Sequence, residues 1–248
     1  MNGLELAEKY FQALGLPMLE QRFSDRMDRM AAGLVGDGSE CFGFDDVLSR
    51  DHDWGPSFCI WLLPEDFQGL GPALQEALDE LPATFEGYGP RQESRWGQGR
   101  VGVFEIGGFY RRFIGLERPP SELNEWLMLP ENALAACTNG RVFVDFPGAF
   151  TRFRQALLAF YPEDVRKKKI AARCMTMGQA GQYNFPRCVK RGDRFAARYA
   201  ETKFCADVIS AVFLLNRRYT PFYKWMHRAL KDLPVLGPWV HEEISALL

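Results

Sequence analysis

Apolar and polar residues change their spacing along the first part of the chain, and the changes predict a series of short elements. Apolar residues recur at helical intervals through about the first 30 residues, which predicts an N-terminal helical segment. Residues 31–35 form an apolar run that stops at the Gly-Asp-Gly-Ser sequence of residues 36–39, a pattern typical of a strand ending in a glycine turn. Residues 57–63, rich in aromatic and apolar side chains, predict a second, buried strand.

A helix and a third strand follow. Pro64 stands where a helix would begin, acidic residues occupy the first turn, and leucines repeat down one face to near Pro82. The next apolar run, residues 101–106, predicts a strand with Glu105 set among apolar neighbours. Strands that alternate with a helix in this order indicate an α/β arrangement of this part of the chain.

From about residue 119 the spacing of apolar residues becomes helical. Helices are predicted in six segments, residues 120–128, 131–137, 150–160, 162–177, 194–219 and 221–230. A helix is expected to break near Gly178 and Gly181, and residues 141–146 predict one extra strand or hairpin arm. The predicted fold class is therefore α+β, with a small mixed-sheet domain at residues 1–118 and a helical bundle domain at residues 119–248.

The charged residues are unevenly distributed between these two parts. The 248 residues include 30 Lys and Arg against 32 Asp and Glu, a net charge of -2, which argues against a generic nucleic-acid-binding protein. Residues 1–150 hold 12 basic and 24 acidic side chains, whereas residues 151–248 hold 18 basic and 8 acidic. An asymmetry of this kind is a further indication of two domains.

Several classes of protein are disfavoured by the cysteines, the histidines and the hydropathy. The 6 cysteines include no C-x-x-C pair and the 3 histidines no H-x-x-x-H pair, so neither a zinc site nor a redox motif is predicted. No apolar stretch approaches the ~20 residues of a membrane helix, and the N-terminus lacks the pattern of a signal peptide. We therefore expect a cytoplasmic protein without a membrane partner, whose oligomeric state the sequence leaves open.

Two aspartates separated by one residue, Asp51 and Asp53, are the first candidates for chemistry. They stand just before or at the start of the second predicted strand, where side chains at i and i+2 point to the same face. Like charges held this close require a cation between them, and oxygen ligands favour Mg²⁺ or Mn²⁺. Glu105 would be a costly buried acid unless it joined the same cation. Asp145, which has similar apolar neighbours, is the alternative third acid.

A glycine turn, Gly38-Ser39, ends the preceding predicted strand. Such a turn lets backbone N–H groups and a hydroxyl approach phosphate oxygens without steric obstruction. A phosphate-binding turn, a pair of acids and a third acid in one domain are the equipment for metal-assisted phosphoryl or nucleotidyl transfer.

The Gly-Ser turn, a spacer of about ten residues, the D-x-D and a later apolar-acid-apolar strand resemble the polymerase-beta-type nucleotidyltransferase superfamily. Gly38, Ser39, Asp51, Asp53 and Glu105 fall on its motif. The resemblance implies that the three acids hold the metal and that Gly38 and Ser39 hold the phosphates of a nucleoside triphosphate.

The resemblance extends over most of the chain. The string at residues 36–56 is similar to a bacterial family of unknown function within that superfamily, and so are residues 179–187, 212–217 and 222–225. Antibiotic-modifying nucleotidyltransferases pair a small α/β catalytic domain with a helical domain, so the resemblance implies the same plan here. Asp37 and His52 stand where the superfamily usually has apolar residues, a departure that leaves the metal ligands in place.

Four residues of the helical domain are further candidates for binding the nucleotide: Asn184, Arg187, Lys203 and Lys224. Asn184 and Arg187 belong to a polar cluster around the two glycines, which suits turn and capping chemistry equally well. The basic side chains could bind a triphosphate or form a solvated stripe on a helix.

The sequence thus predicts a metal-dependent nucleotidyltransferase. It would move a nucleoside monophosphate from a nucleoside triphosphate, ATP by default, to an acceptor hydroxyl, with pyrophosphate as the leaving group. A small-molecule acceptor is favoured over a protein or an RNA end. RNA is the least favoured of the three, because no RNA-binding module is recognisable. The alternatives are a module that binds a nucleotide or a partner without catalysis, and a metal-dependent phosphohydrolase in which water is the acceptor.

Overall fold

The helices and strands are numbered in chain order. A computed structural model describes residues 1–95 and 97–247. The strands are β1 (Met30–Leu34), β2 (Cys59–Leu62), β3 (Gly102–Glu105) and β4 (Arg141–Asp145). The α-helices are α1 (Gly3–Tyr10), α2 (Leu16–Arg22), α3 (Pro64–Asp79), α4 (Ile106–Ile114), α5 (Leu123–Met128), α6 (Glu131–Thr138), α7 (Ala149–Leu158), α8 (Glu163–Met177), α9 (Phe185–Lys190), α10 (Arg194–Leu215), α11 (Tyr223–Leu230) and α12 (Gly237–Leu247). Two π-helical stretches, Phe11–Gly15 and Gly178–Asn184, join α1 to α2 and α8 to α9.

The chain divides into two units. Met1–Pro119 and Ala136–Ala159 form the first, and Pro120–Ala135 and Phe160–Leu248 form the second. The sequence predicted one boundary, between residues 118 and 119. In the structure Ala136–Ala159 also belongs to the first unit, because this segment contains β4, which pairs with β1.

The four strands form one mixed sheet in the order β3-β2-β1-β4. β1 pairs antiparallel with β2 and with β4, whereas β2 and β3 are parallel. Parallel neighbours need a crossover connection, and α3 lies in it. The α+β class and the four predicted strand positions are therefore confirmed.

Helices cover both faces of the sheet. Successive side chains of β2 point to opposite faces, so β2 contributes to the core on each side. Ile60 and Leu62 are fully buried in a cluster with residues of α1, α2 and α3. Trp61, between them, faces the other way and stacks on Phe150 of α7, with ring centroids 3.8 Å apart. Phe109 of α4 meets the same indole edge-on at 5.4 Å. The core of the first unit thus has two layers, one on each side of the sheet.

Helix α4 is an element that the sequence did not predict. Gly107 and Gly108 stand in its first turn, and glycine disfavours helix. Glu105 compensates as the N-cap: its carboxylate accepts hydrogen bonds from the N–H groups of Gly107 and Gly108, at 2.7 and 2.6 Å. Glu105 therefore closes β3 and begins a helix, and the prediction that it stands in the middle of an apolar strand is wrong.

The second unit is built from helices, as predicted, but the predicted break at its glycines is wrong. α8 continues through the π-helical stretch Gly178–Asn184 into α9. A Cβ on Gly181 would lie 2.7 Å from Cδ2 of Phe204, so glycine at this position allows α10 to pack closely. The short helix α9 and the final helix α12 were not predicted.

The core of the second unit lies along α10. Buried apolar residues of α10, including Ile209, Val212 and Phe213, cluster with Leu230 and Val240 from the helices that follow. Among residues 1–95 and 97–247, no helix has the length and apolar character needed to cross a membrane.

We predict that Gly33→Ala destabilises the first unit by about 3 kcal/mol, because overpacking of a rigid site costs roughly this much. Gly33 lies where the register between β1 and β4 shifts. A Cβ there would lie 2.4 Å from the backbone oxygen of Arg141 and 3.1 Å from the Trp61 ring, so β4 would have to move. Urea unfolding followed by circular dichroism measures the change.

Gly69→Ala is the matched control. Gly69 lies within α3, and a Cβ would meet no atom within 4 Å. This variant should gain up to about 1 kcal/mol, because alanine has the higher helix propensity. Equal stability of Gly33→Ala and the parent protein would contradict the close pairing of β4 with β1.

Candidate functional site

The predicted site lies in the single connection between β1 and β2, residues 35–58, at one edge of the sheet. In the antiparallel pair of β1 and β2, Gly33 near the end of β1 lies opposite Cys59, the first residue of β2, so both ends of this connection leave the sheet at the same edge. Gly38 and Ser39 lie near its beginning, and Asp51 and Asp53 lie in its second half.

The Gly38-Ser39 turn is packed against a buried acid. A Cβ on Gly38 would lie 2.3 Å from both carboxylate oxygens of Glu40, so only glycine permits this approach. Glu40 is 3% exposed and pairs with the buried guanidinium of Arg91 at 3.4 Å. Burial raises the pKa of Glu40, and the charge of Arg91 partly offsets that rise.

Asp53 is held in place by the segment that precedes β3. Its side chain is 5% exposed, and its carboxylate accepts hydrogen bonds from the N–H and the hydroxyl of Ser94, at 2.8 and 2.5 Å. Arg100 lies 3.6 Å away. Burial alone would raise the pKa of Asp53, but the Ser94 hydrogen bonds and the charges of Arg100 and Arg91 together lower it.

The prediction that Asp51 and Asp53 share one face of a strand is wrong. Both lie in a bend well before β2 begins, and Asp53 has a left-handed backbone with φ of 54°. The two carboxylates lie instead on either side of the His52 ring: Asp51 is 2.9 Å from Nδ1 and Asp53 is 4.0 Å from Nε2. The Asp51 side chain is 65% exposed, so one acid of the pair is open to solvent.

Both candidates for the third acid lie at the opposite end of the sheet. Glu105 pairs with Leu62, the last residue of β2, whereas Gly102 pairs with Cys59 at the end nearest Asp53. Asp145 lies opposite Ala31, near the beginning of β1 and so at the same far end. Each carboxylate accepts hydrogen bonds from helix N–H groups: Glu105 caps α4, and Asp145 accepts from Thr151 in α7 at 2.7 Å. The structure does not bring either acid to Asp51 and Asp53.

The superfamily resemblance implies a divalent cation. Among the described residues, two carboxylates, Asp51 and Asp53, are available for it at this edge of the sheet. No group of three or more His, Cys, Asp or Glu side chains within residues 1–95 and 97–247 is arranged to hold a metal ion. Mg²⁺ is commonly held by one or two carboxylates, with the remaining ligands from phosphates and water. The Asp51 carboxylate is exposed, whereas both oxygens of the buried Asp53 already accept hydrogen bonds from Ser94, so a cation would have to share Asp53 with these donors. Hydrogen bonds of this kind orient ligating carboxylates.

The four predicted nucleotide-binding residues of the second unit are only partly brought together. Asn184 and Lys203 line one cavity of about 280 Å³. The guanidinium of Arg187 lies over the ring of Tyr183 at 4.7 Å, and the ammonium of Lys224 lies over the ring of Trp225 at 4.9 Å. Neither Arg187 nor Lys224 lines that cavity.

Sequence reasoning missed a larger cavity, of about 460 Å³, in the second unit. Its charged lining residues are Glu131, Lys169, Arg173 and Asp207. They come from three different helices, α6, α8 and α10, so no local spacing relates them. One local signal existed in the basic run at residues 167–169, where Lys167 and Lys168 are exposed and Lys169 is half-buried.

Comparison with known families gives one match. Residues 126–226 match the family model described as "Domain of unknown function (DUF4037)". The matched segment covers less than half of the chain and contains every lining residue of both cavities. Neither the curated proteins nor the solved structures contain a match.

We predict that Arg91→Met destabilises the first unit by about 3–5 kcal/mol at pH 7, because it leaves the buried carboxylate of Glu40 without its counter-charge. The pKa of Glu40 in the folded variant should rise further. An acid whose folded pKa is raised binds its proton more tightly in the folded state. The loss of stability should therefore shrink as the pH falls toward about 4.3, the usual value of an unfolded glutamate. Urea unfolding at a series of pH values measures this.

Arg26→Met is the control for the loss of a positive charge. Arg26 pairs with Asp25 at 3.3 Å in an exposed ion pair, which contributes little stability. Its substitution should change the free energy of unfolding by less than about 0.5 kcal/mol at all pH values. A pH-independent loss in Arg91→Met would mean that packing, and not the charge of Glu40, explains it.

Proposed function

We propose that the protein is a nucleotidyltransferase that moves a nucleoside monophosphate from a nucleoside triphosphate to an acceptor hydroxyl. The acceptor oxygen forms a bond to the α-phosphorus, the bond to the bridging oxygen breaks, and pyrophosphate leaves. ATP is the first nucleotide to test. The observation that carries the proposal is that the segment before β3 contacts both parts of the β1–β2 connection: Arg91 pairs with Glu40 beside the Gly38-Ser39 turn, and Ser94 donates to Asp53.

Positive charge at the same edge supports a polyphosphate substrate. Arg100 lies 3.6 Å from Asp53 and is partly exposed, so its guanidinium can offer N–H groups to a phosphate as well. Arg91 is buried against Glu40 and contributes to the local field without being accessible. Ser94 fixes the orientation of Asp53 through two hydrogen bonds.

Asp51 and Asp53 are the residues that would hold the divalent cation. When bound, the cation would neutralise negative charge on the phosphate oxygens and on pyrophosphate as it leaves. The Ser94 hydrogen bonds and the charge of Arg100 favour the ionised form of Asp53, and the exposed Asp51 carboxylate contacts the exposed ring of His52. Glu105, engaged as the cap of α4, has no part in this arrangement.

A second candidate function is the binding of a nucleotide without transfer. It is favoured by one observation, the position of Glu105 and Asp145 at the far end of the sheet. The edge that carries Asp51 and Asp53 then lacks both candidates for the third acid. A scaffold of this kind could retain metal-nucleotide binding and lose the chemical step.

We predict that Asp51→Asn and Asp53→Asn each weaken Mg²⁺-dependent ATP binding by about 100-fold or more, because even the partners of metal ligands contribute 10–100-fold. Calorimetric titration of ATP with Mg²⁺, repeated with a chelator, measures this. Glu105→Gln should leave ATP binding unchanged and lower the free energy of unfolding by about 0.5–2 kcal/mol through the weakened cap.

Transfer itself is tested by pyrophosphate release from ATP over a panel of hydroxyl acceptors that includes aminoglycosides, sugars, peptides and RNA ends. Release with any acceptor, lost in both aspartate variants, supports transfer. ATP binding without release over the whole panel supports the second candidate. ATP binding that neither aspartate variant weakens contradicts both, and loss of transfer in a folded Glu105→Gln protein contradicts the two-carboxylate site.

A further inference from the structure

The larger cavity of the second unit contains a fully engaged carboxylate. Glu131 Oε2 accepts hydrogen bonds from the hydroxyls of Ser210 and Thr220, at 2.8 and 2.7 Å. Its Oε1 accepts from Arg173 at 3.2 Å. Because every oxygen has a donor, Glu131 is held in place by the protein and has little capacity to bind a cationic ligand.

Arg173 connects Glu131 to a second buried carboxylate. Its Nη1 donates to Asp207 at 3.1 Å, while Nη2 donates to Glu131. The other oxygen of Asp207 accepts from Lys203 at 3.2 Å. The two carboxylates are therefore matched by two cations, Arg173 and Lys203, and the four groups together are neutral.

Lys169 adds a positive charge that this network does not balance. It lies one turn before Arg173 on α8 and is half-buried in the cavity lining. Its ammonium contacts the backbone oxygen of Leu127 at 3.4 Å and the face of the Tyr161 ring at 4.8 Å. Within the part of the chain that the structure describes, no carboxylate forms an ion pair with it. Burial lowers its pKa, and the charge of Glu131 partly offsets that shift. A partly desolvated cation is costly without a counter-charge.

The mouth of the cavity is apolar and aromatic. Phe222 and Tyr223 lie there with ring centroids 4.4 Å apart, and Tyr223 is 73% exposed. Met226 and Leu129 extend the apolar lining. A volume of about 460 Å³ is within the range of cavities that enclose small organic molecules.

We propose that this cavity binds a small organic anion, whose carboxylate or phosphate group pairs with Lys169 and whose ring lies against Phe222 and Tyr223. The charged lining residues are two cations and two carboxylates, and both carboxylates pair with Arg173, so Lys169 is left for the anionic group of a ligand. A cationic ligand is disfavoured because both carboxylates already have partners. The site does not depend on the transfer reaction proposed for the first unit.

Three fluorinated probes that share one ring and differ in charge test the proposal: a benzoate, a phenyl phosphate and a benzylamine. Fluorine NMR line broadening with the full-length protein measures their binding. We expect the benzoate, the phenyl phosphate or both to bind and the benzylamine not to bind. Lys169→Met should weaken anion binding about tenfold or more, the value of a lost charge-assisted hydrogen bond. Whichever anion binds more tightly identifies the ligand group as carboxylate or phosphate.

Lys168→Met is the matched control, because Lys168 precedes Lys169 on the same helix and is exposed. It should bind the anions as the parent protein does, and Lys169→Arg should restore most of the binding lost in Lys169→Met. If Lys169→Met does not fold, Tyr223→Ala tests the same site from the exposed mouth and should weaken both anions. Tighter binding of benzylamine than of either anion, or equal anion binding by folded Lys169→Met and Lys168→Met, would overturn the proposal.

Discussion

The antiparallel pairing of β1 with β2 is the constraint on which the first unit depends. It holds both ends of the β1–β2 connection, residues 35–58, at one edge of the sheet, because Gly33 lies opposite Cys59. A slip of one residue would exchange the two faces of the sheet and move Trp61 from its stack on Phe150 into the opposite layer. Gly33 itself is pressed between the Arg141 backbone and the Trp61 ring, so the packing of β4 and of the indole reinforces one register. Because β3 is parallel to β2, the same register puts Glu105 at the other end of the sheet.

The charged groups at the loop edge are positioned by the segment between α3 and β3. That segment supplies Arg91 to the buried Glu40, and Ser94 and Arg100 to Asp53. Each acid would be costly at its depth without these partners, since desolvation of a carboxylate must be offset by hydrogen bonds or opposite charge. The geometry of the candidate site is therefore set by long-range contacts, and the local conformation of the D-x-D segment has little part in it.

Because the site depends on long-range contacts, the sequence predicted the strands and helices better than it predicted the geometry of the site. The strands were predictable because apolar composition and glycine turns are local signals, and the helices of the second unit were predictable from their periodicity. The geometry of the site was not predictable, and three residues or segments show why. The chain bends at Asp51–Asp53, with a left-handed backbone at Asp53, and β2 begins only at Cys59, so neither acid lies in the strand. Ile106 looks like the last residue of an apolar strand and is the first of α4, which turns Glu105 from a central acid into a cap. Gly181 resembles a helix breaker, yet its missing side chain is what admits Phe204.

In the second unit the buried charges are hard to explain by stability alone. Ion pairs removed from water often contribute no more than apolar residues of similar size, so a network of Glu131, Asp207 and Arg173 is weak support for a purely structural role. What the network does is give every oxygen of both carboxylates a donor and hold Arg173 between them. Lys169 is left as the one lining cation without a carboxylate partner among the residues described, on a helix whose neighbouring lysines point to solvent. The selectivity of the cavity then depends on the charge of Lys169. We expect such a site to discriminate between ligands more by the sign of their charge than by their shape.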